Sequence, residues 1–219
     1  MSATFFIQYK SPVFVILCGL QILGKCSILA IGVHKVAFFI DGACLDHVLV
    51  SEFSNKRINY QLFTRAIVAK AGSDRDIVRV YYYHCLPYQD THPTPEQSER
   101  FGGMQRFFRA LQRTSRFEVR QGRLAYRGLD DKGAPIFEQK RTDLLLGIDL
   151  VLLATKRSID EAFIIPGDSD FIPAIQAAKS EGVVIYLVYG ADCHDDLLDE
   201  VDERIKITPE LISASIRLV

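Results

Sequence analysis

The sequence has almost no net charge, because its 219 residues include 26 lysines and arginines against 27 aspartates and glutamates. A protein without net charge has no overall field that attracts nucleic-acid phosphates, so any such attraction must come from a local basic patch. Disordered and fibrous classes are also excluded, since 48% of the residues are hydrophobic, with only 14 glycines and 8 prolines. We expect one α/β domain with a short extension.

Paired cysteine motifs are missing as well. The five cysteines are widely spaced, odd in number and contain no CxxC motif. We therefore expect neither a disulfide framework nor a zinc ribbon, and a reducing cytoplasm is the expected location. The neighbours His84-Cys85 and Cys193-His194 are poor zinc pairs, because adjacent strand residues point to opposite faces of a sheet.

Several enzyme signatures are absent. The sequence contains no GxGxxG, GxxxxGK[ST] or GxSxG motif. It therefore does not indicate a dinucleotide-binding protein, a P-loop protein or a serine hydrolase, and we expect no nucleotide cofactor. A haloacid-dehalogenase-type phosphatase needs a second aspartate two residues after Asp41, where Ala43 stands. A Toprim-type site needs a glutamate that has no clear match in the first strand.

The apolar run over residues 11–33 is too short and too interrupted for a clear membrane-spanning helix, since Gln21 and Lys25 break it. Three interpretations stay open: a signal anchor, a packed element, or a segment upstream of the natural start. We favour the last, because we expect a complete domain to start at Lys35, and we do not expect membrane association. The expected organisation is an extension over 1–35, a domain over 36–208 and a C-terminal tail over 209–219.

After residue 35, short apolar runs alternate with helical patterns. This alternation predicts an α/β fold with an open parallel sheet wound on both faces. The predicted strands are 36–41, 77–86, 116–126, 161–168 and 183–190, and the predicted helices are 58–71, 96–116, 141–155 and 171–182.

Aspartates follow two of the apolar strands. Asp41 ends the first, Asp168 and Asp170 follow the fourth, and Asp143 lies in the first turn of the helix before it. Each alone could be a turn residue or helix cap. If the two strands are neighbours, the aspartates meet in one crevice at the carboxyl ends of the strands. Crowded carboxylates repel one another unless a hard cation binds, and an all-oxygen site selects Mg²⁺ or Mn²⁺ over zinc, as in metal-dependent nucleases.

Basic residues concentrate in the middle of the chain. Eight arginines fall between residues 100 and 127. Four of them lie within about 80° on one face of the 96–116 helix. This face is either a phosphate-binding stripe or a solvated surface. These four are Arg106, Arg109, Arg113 and Arg116. The next strand adds Arg120 and Arg123, and Lys140 and Arg141 precede Asp143, where we favour contact with a substrate backbone. The segment over 192–203 is acidic, and its negative charge offsets that of the basic patch in the net charge of the chain.

Four segments together resemble the NYN domain, in the LabA-like branch of the PIN-like nucleases. They are FIDG (39–42), KRTDLLLGIDL (140–150), IIPGDSDFIPAIQAAKSEGVVIYLV (164–188) and LLDEVDERIKIT (197–208). The GDSDF-x-P motif between a strand and a helix is the most specific part. The resemblance spans about 36–208 and implies a three-layer α/β/α sandwich with a central, mostly parallel sheet, divalent Mg²⁺ or Mn²⁺, and hydrolysis of RNA.

The resemblance also assigns site residues. By motif match, Asp41, Asp143, Asp168 and Asp170 would be the catalytic and metal-binding acids. Asp149 matches a recurrent family acid too, but it lies about 120° from Asp143 around a helix, so both cannot face one ion equally. We rank it lower.

One position departs from the family pattern. The family usually has asparagine three residues after the first aspartate, and Cys44 stands there, which removes a hydrogen-bonding amide from the site. Ser169 could add a hydroxyl contact or be an ordinary turn residue. We predict substrate contacts from Lys140, Arg141, Arg123, Cys44 and Ser169.

Two functions follow from these observations. The first is a metal-dependent endoribonuclease that acts on RNA, with a single strand as the expected partner. The second is a non-catalytic RNA-binding or regulatory module that keeps the acidic pocket, which the residue at position 44 favours. A homo-oligomer is kept as an open alternative.

Overall fold

A computed structural model describes residues 32–72, 74–129 and 135–216. The apolar run over 11–33 and the extension over 1–35 therefore lie almost entirely outside the described residues. Within the described ranges, no helix has both the length and the apolar character needed to cross a membrane.

Six strands form one sheet in which every pairing is parallel. They are β1 (His34–Asp41), β2 (Arg75–His84), β3 (Phe117–Gln121), β6 (Glu161–Ile165), β7 (Val184–Tyr189) and β8 (Glu203–Lys206). Two further strands, β4 (Arg123–Leu129) and β5 (Pro135–Lys140), form a separate antiparallel hairpin. The predicted parallel sheet is confirmed, and burial on both faces explains why its central strands β1 and β6 are nearly continuous apolar runs.

Seven helices accompany the sheet in the described part of the chain. They are α1 (Gly42–Phe53), α2 (Tyr60–Ala71), α3 (Pro95–Arg113), α4 (Thr142–Thr155), α5 (Ile172–Ser180), α6 (Asp195–Glu200) and α7 (Pro209–Ala214). Buried residues of α1, α2, α3 and α7 share one hydrophobic core, and those of α4, α5 and α6 share the other. The fold is therefore the expected three-layer α/β/α sandwich of the PIN-like type.

Side chains of β1 alternate between the two cores. Phe38 enters one core and stacks on Phe163 with ring centroids 4.8 Å apart, whereas Phe39 enters the other and stacks on Tyr81 at 5.6 Å. Complete burial of one such side chain contributes about 1.5–3 kcal/mol, so the central strand is held firmly from both sides. This fixes the position of Asp41 at its carboxyl end.

The strand order fixes where the site lies. Along the sheet the order is β3-β2-β1-β6-β7-β8, so the chain winds outward from β1 in one direction and then from β6 in the other. The winding reverses between β1 and β6, which pair directly. In open α/β sheets, ligands bind in the crevice beyond the carboxyl ends of the strands at such a point.

The predicted strand over 116–126 is wrong as a single element, because it divides at Gly122 into β3 of the main sheet and β4 of the hairpin. A Cβ at residue 122 would lie 2.7 Å from the Lys140 carbonyl oxygen and 2.8 Å from both Cys85 Sγ and Thr142 Cγ2. The chain can therefore leave the sheet here only with glycine.

Other elements were not predicted, namely α1, β5, β8 and α7. Helix α7 lies within the segment expected as a tail over 209–219, and its Leu211 and Ile212 are buried in the core with α2. Helix α3 ends at Arg113, so Arg116 lies outside the helical stripe; it has a positive φ of 68° and pairs with Asp76 at 2.5 Å.

Candidate functional site

Asp41 is the last residue of β1 and the N-cap of α1. Its Oδ1 accepts hydrogen bonds from the backbone amides of Ala43 at 2.9 Å and Cys44 at 3.2 Å, and the residue is only 7% exposed. Burial raises the pKa of its carboxyl group, and the nearby charge of Asp143 adds to this rise, while the two amides oppose it. The fold thus holds one carboxylate in a fixed direction at the edge of the sheet.

The loop after β6 brings a second carboxylate to the same edge. Asp168 Oδ1 accepts a hydrogen bond from the Asp170 amide at 2.9 Å and starts a short 3-10 turn over Ser169–Phe171. The preceding Gly167 passes so close to Asp41 that a Cβ there would lie 2.8 Å from Asp41 Oδ2. Asp41 and Asp168 consequently line one cleft of about 390 Å³.

Asp143 stands on the opposite side of this loop, in the first turn of α4. Partial burial raises the pKa of its carboxyl group, and the charges of Asp168 and Asp170 raise it further. Asp143 and Asp170 line a second, more apolar groove of about 700 Å³ between α4 and α5. The four predicted aspartates therefore form two pairs, one on each side of the β6–α5 loop, and Asp143 interacts electrostatically with the other three.

No lysine or arginine neutralises these carboxylates within residues 32–72, 74–129 and 135–216. The ion pairs with lysine or arginine there involve other acids, at positions Asp76, Glu118, Asp149, Glu161 and Asp202. In the same ranges, no three His, Cys, Asp or Glu side chains are grouped closely enough to hold a metal ion by themselves. The site is therefore a set of carboxylate pairs with unbalanced negative charge.

Comparison of the chain with protein families shows which family it belongs to. The NYN domain family matches residues 35–208, which is most of the chain. The chain belongs to the NYN domain family. NYN domains are a branch of the PIN-like nuclease superfamily, so the fold, the strand-end aspartates and the family agree with one another. A search of the curated proteins found no match to the chain.

Asp149 has a structural partner in this NYN domain. Arg120 Nε donates to Asp149 Oδ2 at 2.9 Å, Arg120 Nη2 donates to Oδ1 at 3.3 Å, and the Tyr83 hydroxyl donates to Oδ2 at 3.0 Å. Arg120 also pairs with Glu118 at 2.7 Å and lies over the ring of Tyr81. These contacts connect α4 to β2 and β3. Because Arg120 is engaged in ion pairs, it does not contribute a free cation to the predicted basic patch.

Cys44 lies at the start of α1, where the family usually has asparagine. It lines the cleft of Asp41 and Asp168, and burial together with those two charges and Cys193 raises the pKa of its thiol to about 12. The thiol is therefore neutral at any working pH of the NYN domain, and it offers only a weak hydrogen bond.

The predicted basic contacts gather where the hairpin meets α4. Arg123 and Lys140 are cross-strand partners at the base of the hairpin, and both are exposed. Arg141 follows with a positive φ of 79°, directly before α4 and two residues before Asp143. Ser169 is half-buried as the first residue of the 3-10 turn.

Sequence reasoning missed several residues around the NYN site. His47, Asp192, Cys193 and His194 line the same cleft as Asp41, and His47 Nε2 lies 3.8 Å from Asp192 Oδ2. The three-residue helical spacing that places residues 44 and 47 on one face of α1 was available, but α1 itself was not predicted. The other three lie in the loop after β7, where only the fold shows that they face the site.

His84 also lies beside α1. Its Nε2 lies 3.3 Å from Asp46 Oδ2, and its charge favours the ionised form of Asp41. The ring stacks on Tyr82 with centroids 6.0 Å apart, so it is held beside the first turn of α1.

Proposed function

We propose that this NYN domain is a metal-dependent endoribonuclease that hydrolyses RNA phosphodiester bonds at Asp41, Asp143, Asp168 and Asp170. The observation that carries the proposal is the direct pairing of β1 with β6 at the reversal of the sheet. This pairing places Asp41 and Asp168 in one cleft, with Asp143 in electrostatic reach of both.

The donor set suits Mg²⁺ or Mn²⁺. All four groups are carboxylates, and burial together with the charge of neighbouring aspartates raises the pKa values of Asp41 and Asp143. Mg²⁺ usually binds through one or two carboxylates together with water and substrate phosphate, so a pair such as Asp41 and Asp168 suffices. When bound, such an ion activates water and neutralises charge at the phosphoryl group.

The residues of the chain would position the other participants. The amides of Ala43 and Cys44 orient Asp41, and the amide of Asp170 orients Asp168, so both carboxylates are preorganised. Lys140, Arg141 and Arg123 would contact the phosphates that flank the cleaved bond, and Ser169 and Cys44 would line the path of the strand. Since the carboxylates repel phosphate by themselves, substrate and cation should bind together.

The test is cleavage of single-stranded RNA with Mn²⁺, Mg²⁺ or excess chelator. We expect cleavage with either ion, none with chelator, and a loss on the order of 100- to 1,000-fold in Asp168→Asn, since the ion contributes several kcal/mol to the transition state. Asp199→Asn, which changes an exposed acid of α6, is the matched control and should retain activity. Unchanged cleavage by Asp168→Asn would contradict the proposed site.

A readout independent of turnover is thermal unfolding with Mn²⁺. Binding to the native state alone stabilises it by about 2.7 kcal/mol at a concentration of 100 Kd. We expect Mn²⁺ to raise the Tm of the wild-type protein and to leave that of Asp168→Asn nearly unchanged.

A second function is supported by Cys44, which replaces an amide with a neutral thiol inside the cleft. In this alternative, the domain binds RNA without cutting it. Retained RNA binding with no cleavage under any metal condition would favour this alternative. For either function we propose a cytoplasmic setting, which the free thiols of Cys44, Cys85 and Cys193 support.

A further inference from the structure

The β4–β5 hairpin follows β3 at the carboxyl-terminal edge of the sheet, where the candidate site lies. The Gly122 amide donates to the His84 carbonyl at 3.0 Å, which continues the pairing of β2 with β3 up to the first hairpin residue. At the other end, β5 runs into α4 within two residues, and α4 carries Asp143 in its first turn. The close approach of Gly122 to Thr142 and Cys85 fixes this base, so the hairpin has a defined position beside the carboxylates.

Three aromatic rings come together along one side of the hairpin. Phe137 stacks on Tyr88 with centroids 4.5 Å apart at 28°, and Tyr126, its cross-strand partner, lies 5.8 Å away at 55°. None of the three belongs to either hydrophobic core. Tyr126 is 58% exposed and Tyr88 is 40% exposed, so aromatic surface is left in contact with water. Folding alone does not require such a cluster, and exposed apolar clusters of this kind mark binding sites.

The rings line a cleft of about 570 Å³ between the hairpin, the loop after β2 and the first turns of α3. Its polar residues include Arg100, Gln97 and Asp90. Gln97 accepts from the Thr94 amide as part of a capping box, and Asp90 accepts from the Thr91 amide at 2.6 Å, so both are engaged locally. Arg100 is exposed at the rim and is the one cation of the described residues that line this cleft.

Aromatic faces beside a cation suit an unpaired nucleobase. Single-strand-binding proteins combine aromatic rings, on which bases stack, with basic groups that follow the phosphates. In a duplex the bases are already stacked, so such a cleft distinguishes single strands from double strands. The exposed Arg123, Lys140 and Arg141 continue the basic surface from the hairpin base to the carboxylates.

We infer that the cleft formed by Tyr88, Tyr126 and Phe137 binds an unpaired base of a single-stranded RNA, and that the hairpin thereby guides the strand toward the acidic site. The inference deepens the proposed function and rests on it for the identity of the substrate. The hairpin would then select single strands. The four aspartates cannot make this selection, because they would contact only the phosphate and the cation.

The test measures binding without cleavage. In an Asp168→Asn background, fluorescence anisotropy should follow a labelled RNA strand of about 12 nucleotides, within the range that such grooves cover, and the same strand annealed to its complement. We expect tighter binding of the single strand. Tyr126→Ala should weaken this binding about 5- to 150-fold, the range measured for loss of one stacked base. Tyr126→Phe should restore it, because the ring is retained.

The control is Val50→Ala, which removes an equally exposed apolar side chain from α1 and should bind as the parent does. Unaltered binding by Tyr126→Ala, or equal binding of duplex, would overturn the inference. Self-association that depends on Tyr126, seen by sedimentation velocity, would also overturn it, since the rings would then contact a second copy of the chain.

The two proposals fail in different ways. If wild-type protein cleaves RNA and Tyr126→Ala cleaves and binds equally well, the cleft inference is wrong and the nuclease proposal stands. If Asp168→Asn binds single strands through Tyr126 but wild-type protein never cleaves them, the cleft inference stands and the nuclease proposal is wrong.

Discussion

Gly167 and Asp41 are so close together that a methyl group on residue 167 would lie 2.8 Å from Asp41 Oδ2. The backbone of residue 167 needs no left-handed conformation, so its glycine is required by space and not by its φ angle. Because β1 and β6 pair directly, the loop after β6 has to cross the carboxylate that ends β1. The absence of a side chain at 167 is what allows Asp41 and Asp168 to share a cleft.

Substitution of this glycine should therefore damage the site more than the fold. We expect Gly167→Ala to lower RNA cleavage by about 100-fold, because displacing a catalytic group by about 1 Å costs that much, and to destabilise the protein by about 1–3 kcal/mol. Gly103→Ala in α3 is the control, since its Cβ would approach only the flexible Arg106 side chain at 3.9 Å. Cleavage assays with urea denaturation check both, and wild-type cleavage by Gly167→Ala would contradict the packing argument.

Asp41→Asn should abolish activity while it keeps the α1 cap and changes how stability depends on pH. Asparagine can still accept the two amide hydrogen bonds of the α1 cap, but it removes a buried charge whose pKa is raised mainly by burial. A raised native pKa gives stability that is complete below the unfolded pKa and is lost as pH rises through the native value. Without metal, the wild-type protein should therefore lose stability relative to Asp41→Asn as the pH rises from the unfolded pKa of about 4 through the raised native pKa.

Urea denaturation at a series of pH values measures this difference. Asp41→Ala, which also removes the cap, should be about 1 kcal/mol less stable than Asp41→Asn at every pH. Both variants should be inactive. Identical pH dependence of the wild-type protein and Asp41→Asn would show that the buried carboxylate is not the source of the effect.

Cys44→Asn should increase activity if the domain is a nuclease. The amide adds two donors and one acceptor to the cleft that Asp41 and Asp168 line, whereas the thiol, with a pKa of about 12, stays neutral and weakly bonding. One new hydrogen bond to substrate corresponds to about a 2- to 10-fold rise in kcat/KM. Cys44→Ala, which adds no amide, serves as the control, and an equal response of the two variants would point to relief of packing instead.

Arg120→Ala should destabilise the fold without changing the chemistry of the site. It leaves the Asp149 carboxylate with the Tyr83 hydroxyl alone, and the lost charge-assisted bonds correspond to about 1–3 kcal/mol, reduced by the partial exposure of Arg120. Asp149→Asn keeps the bond to Tyr83 and should cost less. Specific activity below the melting transition should stay near wild type in both variants. A selective loss of metal-dependent cleavage in Asp149→Asn would instead place that acid in the site.

The sequence alone was enough for the parallel sheet and for the acids at its edge. Short apolar runs bounded by turn residues favour strands buried on two faces, and Asp41 and Asp168 stand at or just beyond the ends of two of them. Their meeting depended on β1 and β6 being neighbours, which periodicity does not reveal. Helix α1 was missed although Leu45, Val48 and Leu49 have helical spacing, because Asp41-Gly42 also reads as a turn.

Other features depend on contacts between distant residues. The break at Gly122 follows from the approach of Lys140 and Thr142, some twenty residues later, and its local signal is the glycine within the strand pattern. The structural role of Asp149 follows from Arg120, which periodicity assigned to a basic patch. Short strands such as β8, with a charged Glu203–Lys206 sequence, lack the apolar run by which the inner strands were recognised.

The hairpin of β4 and β5 pairs with itself and adds no strand to the six-stranded sheet. Its length and the residues along its arms can therefore vary without changing the register of any central strand, and lengthening a surface loop costs little entropy. If the proposed roles hold, grafting a different hairpin between β3 and α4 should redirect this scaffold toward new targets, because the hairpin and the aspartates lie on separate elements.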